Sequence, residues 1–223
     1  MPKEPLAALQ KLREGNYRFI NNLKKNRNLL KQVNETRDGQ WPFAAIVSCM
    51  DSRTSAELIF DQGLGDIFSI RLAGNVISEN VLGSLEYACK VAKSKLILVL
   101  GHTKCGAIRG ACDRVEMGNL TTLLNKIEPA IYYEKTIAEN RTSSNDEFVN
   151  RVTEIHVYRC VENVMEQSVI LRDMVRSGEV GIIGGVYNIE NGQVDFFEDT
   201  WLCGEVKNVF EQYLKRSELT AGK

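Results

Sequence analysis

The chain has 223 residues, 43% hydrophobic and 26% charged, which is ordinary for a globular protein with one substantial core rather than clearly two. Its 28 lysines and arginines against 29 aspartates and glutamates give a net charge of -1 and a pI near 6.2, so nothing in the total suggests the basic face a nucleic-acid binder uses. No stretch approaches the roughly 18 apolar residues that span a bilayer, and "MPKEPLAALQKLREG" lacks the apolar run of a signal peptide, so no membrane association and a cytoplasmic location are expected.

Residues 5–20 place Leu6, Leu9 and Leu12 three apart with Lys11, Arg13 and Glu14 opposite, which predicts an amphipathic N-terminal helical arm able to pack on another subunit. The basic "LKKNRNLLK" at 23–31 reads as a solvated helix face. "FAAIVSC" (43–49) is an apolar run of the kind a strand covered on both faces shows. A short helix ended by glycine follows at 55–65, with Gly63 and Gly65 as turn residues, then a second strand running into a loop at 66–75. Residues 78–93 have helical periodicity with Ser78 as a candidate cap, and 95–107 hold a third strand and its exit loop. Two helical segments are expected at 119–135 and 147–176. Strands on either side of Asn191-Gly192 read as a hairpin within 180–197, and an amphipathic helix near 203–215 closes the chain. Strands alternating with helices predict an α/β fold: a mostly parallel central sheet flanked by helices, with a helical arm (1–35) and a late antiparallel hairpin, forming a single domain over 1–223.

Two strands in this scheme end in chemistry. The first exits through "SCMDSR", placing Cys49, Asp51 and Arg53 on alternate positions, and the third through "GHTKC", placing His102 and Cys105 three apart. The C-terminal ends of strands in an open α/β sheet share one edge, where crevices hold ligands. Cys49, His102 and Cys105 can therefore converge although 53 positions separate the first two. Two thiolates and an imidazole suit Zn²⁺, and three protein ligands leave the fourth position open, as at a catalytic zinc. An iron–sulfur cluster would want four suitably spaced cysteines. Six cysteines in a chain with no export signal argue against a disulfide framework.

"CMDSR" followed by "GHTKC", joined by "DQGLGDIFSIRLAGN" and "SLEYA" and followed by "GVYNIENGQV", resembles the β-class carbonic anhydrase family. The resemblance implies that Cys49, His102 and Cys105 ligate one zinc, that Asp51 and Arg53 form a catalytic dyad, and that zinc hydroxide attacks CO₂ to give bicarbonate and a proton. An aspartate paired with arginine stays ionised and can orient the attacking oxygen. In some members the aspartate takes the fourth zinc position instead, in a closed, inactive state; Asp51 is expected to stay off the metal at neutral pH. Members regulated by bicarbonate carry a tryptophan three positions before the first zinc cysteine, where this chain has Ile46, so that effector site is not implied. The resemblance also implies substrate-pocket roles for Gln40, Phe68, Tyr87 and Gly106, and a pocket shared across a dimer or a multiple of it.

Cys89, Cys112, Cys160 and Cys203 read as packing, and His156, in a polar helix, as surface or packing. Three alternatives use the same residues differently: a carbon disulfide hydrolase with a restricted pocket, a zinc-stabilised scaffold, and a redox pair of Cys49 and Cys105.

Overall fold

The computed structural model describes residues 2–221. Among them five strands form one sheet: β1 (Ala44–Ser48), β2 (Ile67–Arg71), β3 (Leu96–His102), β4 (Gly181–Tyr187) and β5 (Val194–Leu202), in the order β2-β1-β3-β4-β5. The first four neighbours run parallel, and β5 returns antiparallel to β4 through the Asn191-Gly192 turn, where Gly192 has φ +81°. β1, β3 and β4 are buried at every position, because both faces of the sheet are covered.

The side chains of β1 and β3 divide between those faces with the two-residue period of a strand. Ala44, Ile46, Leu96 and Leu98 pack under α1 (Pro5–Ile20). Ala45, Val47, Ile97 and Val99 pack on the other side, under α4 (Glu79–Glu86) and the long helix α8 (Asp146–Gln167). α8 comes unusually close: a Cβ on Gly101 would lie 2.8 Å from Val157 Cγ2, and one on Gly184 would lie 2.7 Å from Val157 Cγ1. Glycine at those two strand positions lets the helix settle onto the sheet.

Several elements differ from expectation. The arm helix buries Ala8, Leu9 and Leu12, while Leu6 faces outward. Residues 23–28 are not helical; α2 covers only Leu29–Thr36. Arg27 leaves solvent to bond the buried carboxylate and carbonyl of Asp61, alongside Arg18 at 2.5 Å. The short helix α3 is limited to Ala56–Ile59. Ser78 stands at the start of α4, but its side chain does not cap it, and α4 continues into a wider π-turn over Tyr87–Val91. After α5 (Gly106–Cys112), the segment expected at 119–135 is two helices, α6 (Gly118–Leu124) and α7 (Glu128–Tyr133), the second with a proline in its first turn. The segment at 147–176 is also two. α8 stops at Ser168, whose hydroxyl accepts from Leu171 N and so caps α9 (Val169–Arg176). The final helix, α10 (Val209–Ala221), starts six residues later than predicted. No helix among the described residues is long and apolar enough to cross a membrane.

Candidate active site

β1 and β3 lie side by side with Ser48 opposite Leu100, so their C-terminal ends emerge together. Cys49 is the first residue past β1 and His102 the last of β3. Lys104, in the left-handed region at φ +56°, turns the chain back so that Cys105 stands immediately before α5. The three donor atoms come within 4.8 Å of one another and all three residues are buried; the two sulfurs are 3.9 Å apart.

The ring of His102 is oriented for ligation. Nδ1 lies 2.9 Å from the carbonyl of Thr103, which can only accept, so Nδ1 carries the proton and Nε2 presents its lone pair. Nε2 is buried with no hydrogen-bond partner. An orphaned imidazole nitrogen beside two thiols is what a metal-ligating histidine looks like when its other nitrogen is fixed by a carbonyl. The two thiols differ in acidity. The Cys105 thiol donates to Cys49 and lowers it against the opposing effect of burial, aided by the Asp51 amide. The bond to Cys49 and burial together push Cys105 up. Two thiolates this close need a cation between them, and the donor set fits zinc.

Asp51 sits beside the cluster and outside it. Its carboxylate is gripped by Arg53 in a bidentate pair, Nε to Oδ1 at 2.9 Å and Nη2 to Oδ2 at 2.7 Å, and the Arg53 amide adds a bond to Oδ1 at 3.0 Å. The guanidinium holds the carboxyl well below the usual carboxylate range. The loop beneath is tied down by residues the motifs did not suggest. Arg71, at the end of β2, donates to the carbonyls of Cys49 (3.2 Å) and Asp51 (2.6 Å), and Thr54 Oγ1 donates to the same two carbonyls. The signal for Arg71 was its place: a charged residue leaving a strand at the same sheet edge.

The carbonic anhydrase family model matches residues 44–194, which spans β1 to the start of β5. The chain belongs to the β-carbonic anhydrase family. It is 36% identical to carbonic anhydrase 2 of Mycobacterium tuberculosis over 197 residues, 85% of this chain and 91% of the relative. It is 34% identical to a carbonic anhydrase of Mycolicibacterium smegmatis over 209 residues, 91% and 98% of the two chains. In fold it is similar to the β-carbonic anhydrase CafA of Aspergillus fumigatus, with a TM-score of 0.70 over 94% of this chain and 96% of that one at 22% identity.

Within one β-carbonic anhydrase chain, three of the four expected pocket residues, Gln40, Phe68 and Tyr87, stand away from the cysteines, and Gly106 adjoins Cys105. Gln40 precedes β1 and lines a cleft with Val33, Thr36 and Gly65. It therefore stands at the opposite end of β1 from Cys49, a five-residue strand of about 16 Å away at 3.3 Å per residue. Phe68 opposes Ala45, near that same far end, and meets Tyr87 edge to face at 6.2 Å. The two share a cleft of about 440 Å³. Gly106 follows Cys105 directly, and a Cβ there would meet nothing within 4 Å. His156, placed at the surface or in packing by its helical context, is buried and bonds the Gly74 carbonyl at 2.8 Å. Cys89, Cys112 and Cys160 are buried, Cys203 is half-buried, and all six cysteines are free thiols.

Proposed function

We propose that this chain interconverts CO₂ and bicarbonate at one zinc ion held by Cys49 Sγ, His102 Nε2 and Cys105 Sγ. The observation that carries the reading is the convergence of two sulfurs with an imidazole nitrogen that lacks any protein partner. When bound, zinc supplies Lewis acidity sufficient to bring the pKa of a water to about 7. Everything else falls to the side chains. Arg53 keeps Asp51 ionised and away from the cluster. Asp51 Oδ1 takes two bonds from Arg53 and Oδ2 only one. Oδ2 therefore retains a lone pair to accept a hydrogen bond from the reacting oxygen and to aim it at CO₂. While ionised, the carboxylate carries no proton and offers only acceptors, and Arg53 holds it in that state.

Gln40, Phe68 and Tyr87 complete the pocket, in this reading, from a second copy of the chain related by a two-fold axis. A similar fold occurs in a tetrameric β-carbonic anhydrase of Sordaria macrospora, with a TM-score of 0.66 over 75% of this chain. In this chain Tyr87 is 53% exposed and α2 buries none of its residues, so both are free to meet another copy. Gly106 leaves open space above Cys105 for a small substrate. The free thiols suit a reducing compartment, and we place the enzyme in the cytoplasm.

Stopped-flow hydration, on protein assayed for zinc, tests the reading. Rapid CO₂ hydration with one zinc per chain and no hydrolysis of carbon disulfide is the expected result. A zinc-loaded protein inert toward CO₂ would sink it.

A further inference from the structure

The turn Ala73–Asn75 occupies an unusual position. It follows β2 and packs against β1, β3 and α5, the three elements that carry or adjoin Cys49, His102 and Cys105. Gly74 has φ +64°, and a Cβ on it would stand 3.1 Å from Ala107 Cβ and 2.8 Å from Ile127 Cδ1, so the turn is wedged against α5 two residues past Cys105. Asn75 is also in the left-handed region, at φ +42°. On its other side the backbone continues the sheet edge: Leu72 N bonds Ser48 O, and Met50 N bonds Leu72 O, both at 3.2 Å. Those two bonds flank Cys49, whose sulfur lies 3.4 Å from the Asp51 amide.

Two left-handed residues in succession need something to hold them. α8 supplies it from one face, with residues four apart. His156 Nε2 lies 2.8 Å from the Gly74 carbonyl, and Cys160 Sγ lies 3.6 Å from the Asn75 carbonyl. A carbonyl can only accept, so the His156 proton is on Nε2. The ring is fully buried, and burial lowers it to about 4, leaving it a neutral donor near pH 7.

We propose that His156 is a positioning residue for the metal centre: by holding the Gly74 carbonyl, it fixes the turn that braces β1, β3 and α5, and with them the geometry of the Cys49 sulfur. This rests on reading Cys49, His102 and Cys105 as the zinc ligands. His156 touches none of them. It acts through the Gly74 carbonyl and the turn that carries it, which the bonds of Leu72 to Ser48 and Met50 tie to the backbone on either side of Cys49.

His156→Leu fills much of the same space with an apolar side chain and removes the donor; His156→Gln returns an N–H near the position of Nε2. Zinc release to a chelator is measured from the zinc-loaded proteins, and the thiolate-to-metal absorption band from their cobalt forms. The expected result is release about ten- to a hundredfold faster from His156→Leu, the range for lost outer partners of metal ligands. A shifted cobalt band should accompany it, with both readouts near wild type in His156→Gln. A space-filling histidine would not move the cobalt band. Unchanged release and an unchanged band in His156→Leu would overturn the proposal. If that variant fails to fold, His156→Asn, whose shorter side chain falls short of the Gly74 carbonyl, decides by the same two readouts: faster release with a shifted band supports it, and wild-type values overturn it. Wild-type protein that takes up no metal would instead refute the zinc-site reading itself, and the positioning role with it.

Discussion

Asp51 has one partner that matters, and Arg53 reaches it three ways, through Nε, Nη2 and its own amide. A planar guanidinium can bridge both carboxylate oxygens, whereas an ammonium offers a single point of charge. Arg53→Lys should therefore lower kcat/KM about tenfold while leaving zinc content intact. Asp51→Asn should lower it about a hundredfold or more, since Arg53 would claim the one amide oxygen and leave an N–H, a donor, toward the reacting oxygen. Wild-type turnover in Asp51→Asn, measured on zinc-loaded protein, would remove the carboxylate from the reaction. At this scale the sequence spoke clearly, because Cys49, Asp51 and Arg53 share one side of a short segment and His102 and Cys105 share one turn. For Arg71 it offered only a place at the strand end, and for His156 only a helical context. Each works through backbone carbonyls rather than through a motif, and Gly74 lies 82 residues from the histidine that holds it. No local pattern records such a bond.

Elements were readable where burial wrote a continuous apolar run. "FAAIVSC" and "KLILVLG" could only be covered strands, and they are β1 and β3. Breaks inside helices were harder. Ser168 ends α8 and caps α9, yet a serine also fits an uninterrupted helix. Likewise the charges at 23–28 follow a helical rhythm, but Arg27 abandons it for Asp61, 34 residues along the chain. How near α8 approaches the sheet is set by what the glycines lack. Gly184→Ala would push a methyl to within 2.7 Å of Val157 Cγ1 and should cost about 1–3 kcal/mol in urea denaturation, the range for overpacking a filled core. Val157→Ala in the same chain makes room and should return part of that loss, a coupling seen in a double-mutant cycle. Additive losses would mean that α8 does not rest on this contact. Because α8 also carries His156, the strain at Gly184 should speed zinc release as well.

As a whole, the molecule presents its cluster at one edge of the sheet, while Gln40, Phe68 and Tyr87 lie nearer the other. Gln40 precedes β1, and Phe68 and Tyr87 line a cleft that includes none of the zinc-ligand residues. The arm bears uncovered apolar side chains, among them Leu29, Leu30 and Val33, and Trp41 stands just beyond it, a concentration that usually marks an interface. Leu30→Glu with Val33→Glu should shift the mass in sedimentation from an oligomer to a single chain. CO₂ hydration should collapse with it while zinc stays bound, because the pocket loses its second half. A single-chain species with full activity would show that one copy suffices.

The arrangement as a whole stands on where Asp51 lies when the metal is present. A crystal structure of the zinc-loaded protein at neutral pH, with anomalous data at the zinc edge, measures this directly. One zinc bound by Cys49 Sγ, His102 Nε2 and Cys105 Sγ is the predicted result, with sulfurs at about 2.3 Å and nitrogen at about 2.0–2.1 Å. The fourth ligand should be a solvent oxygen, with Asp51 still paired to Arg53. An Asp51 oxygen on the zinc with the Arg53 pair broken, or a metal bound without His102, would contradict it.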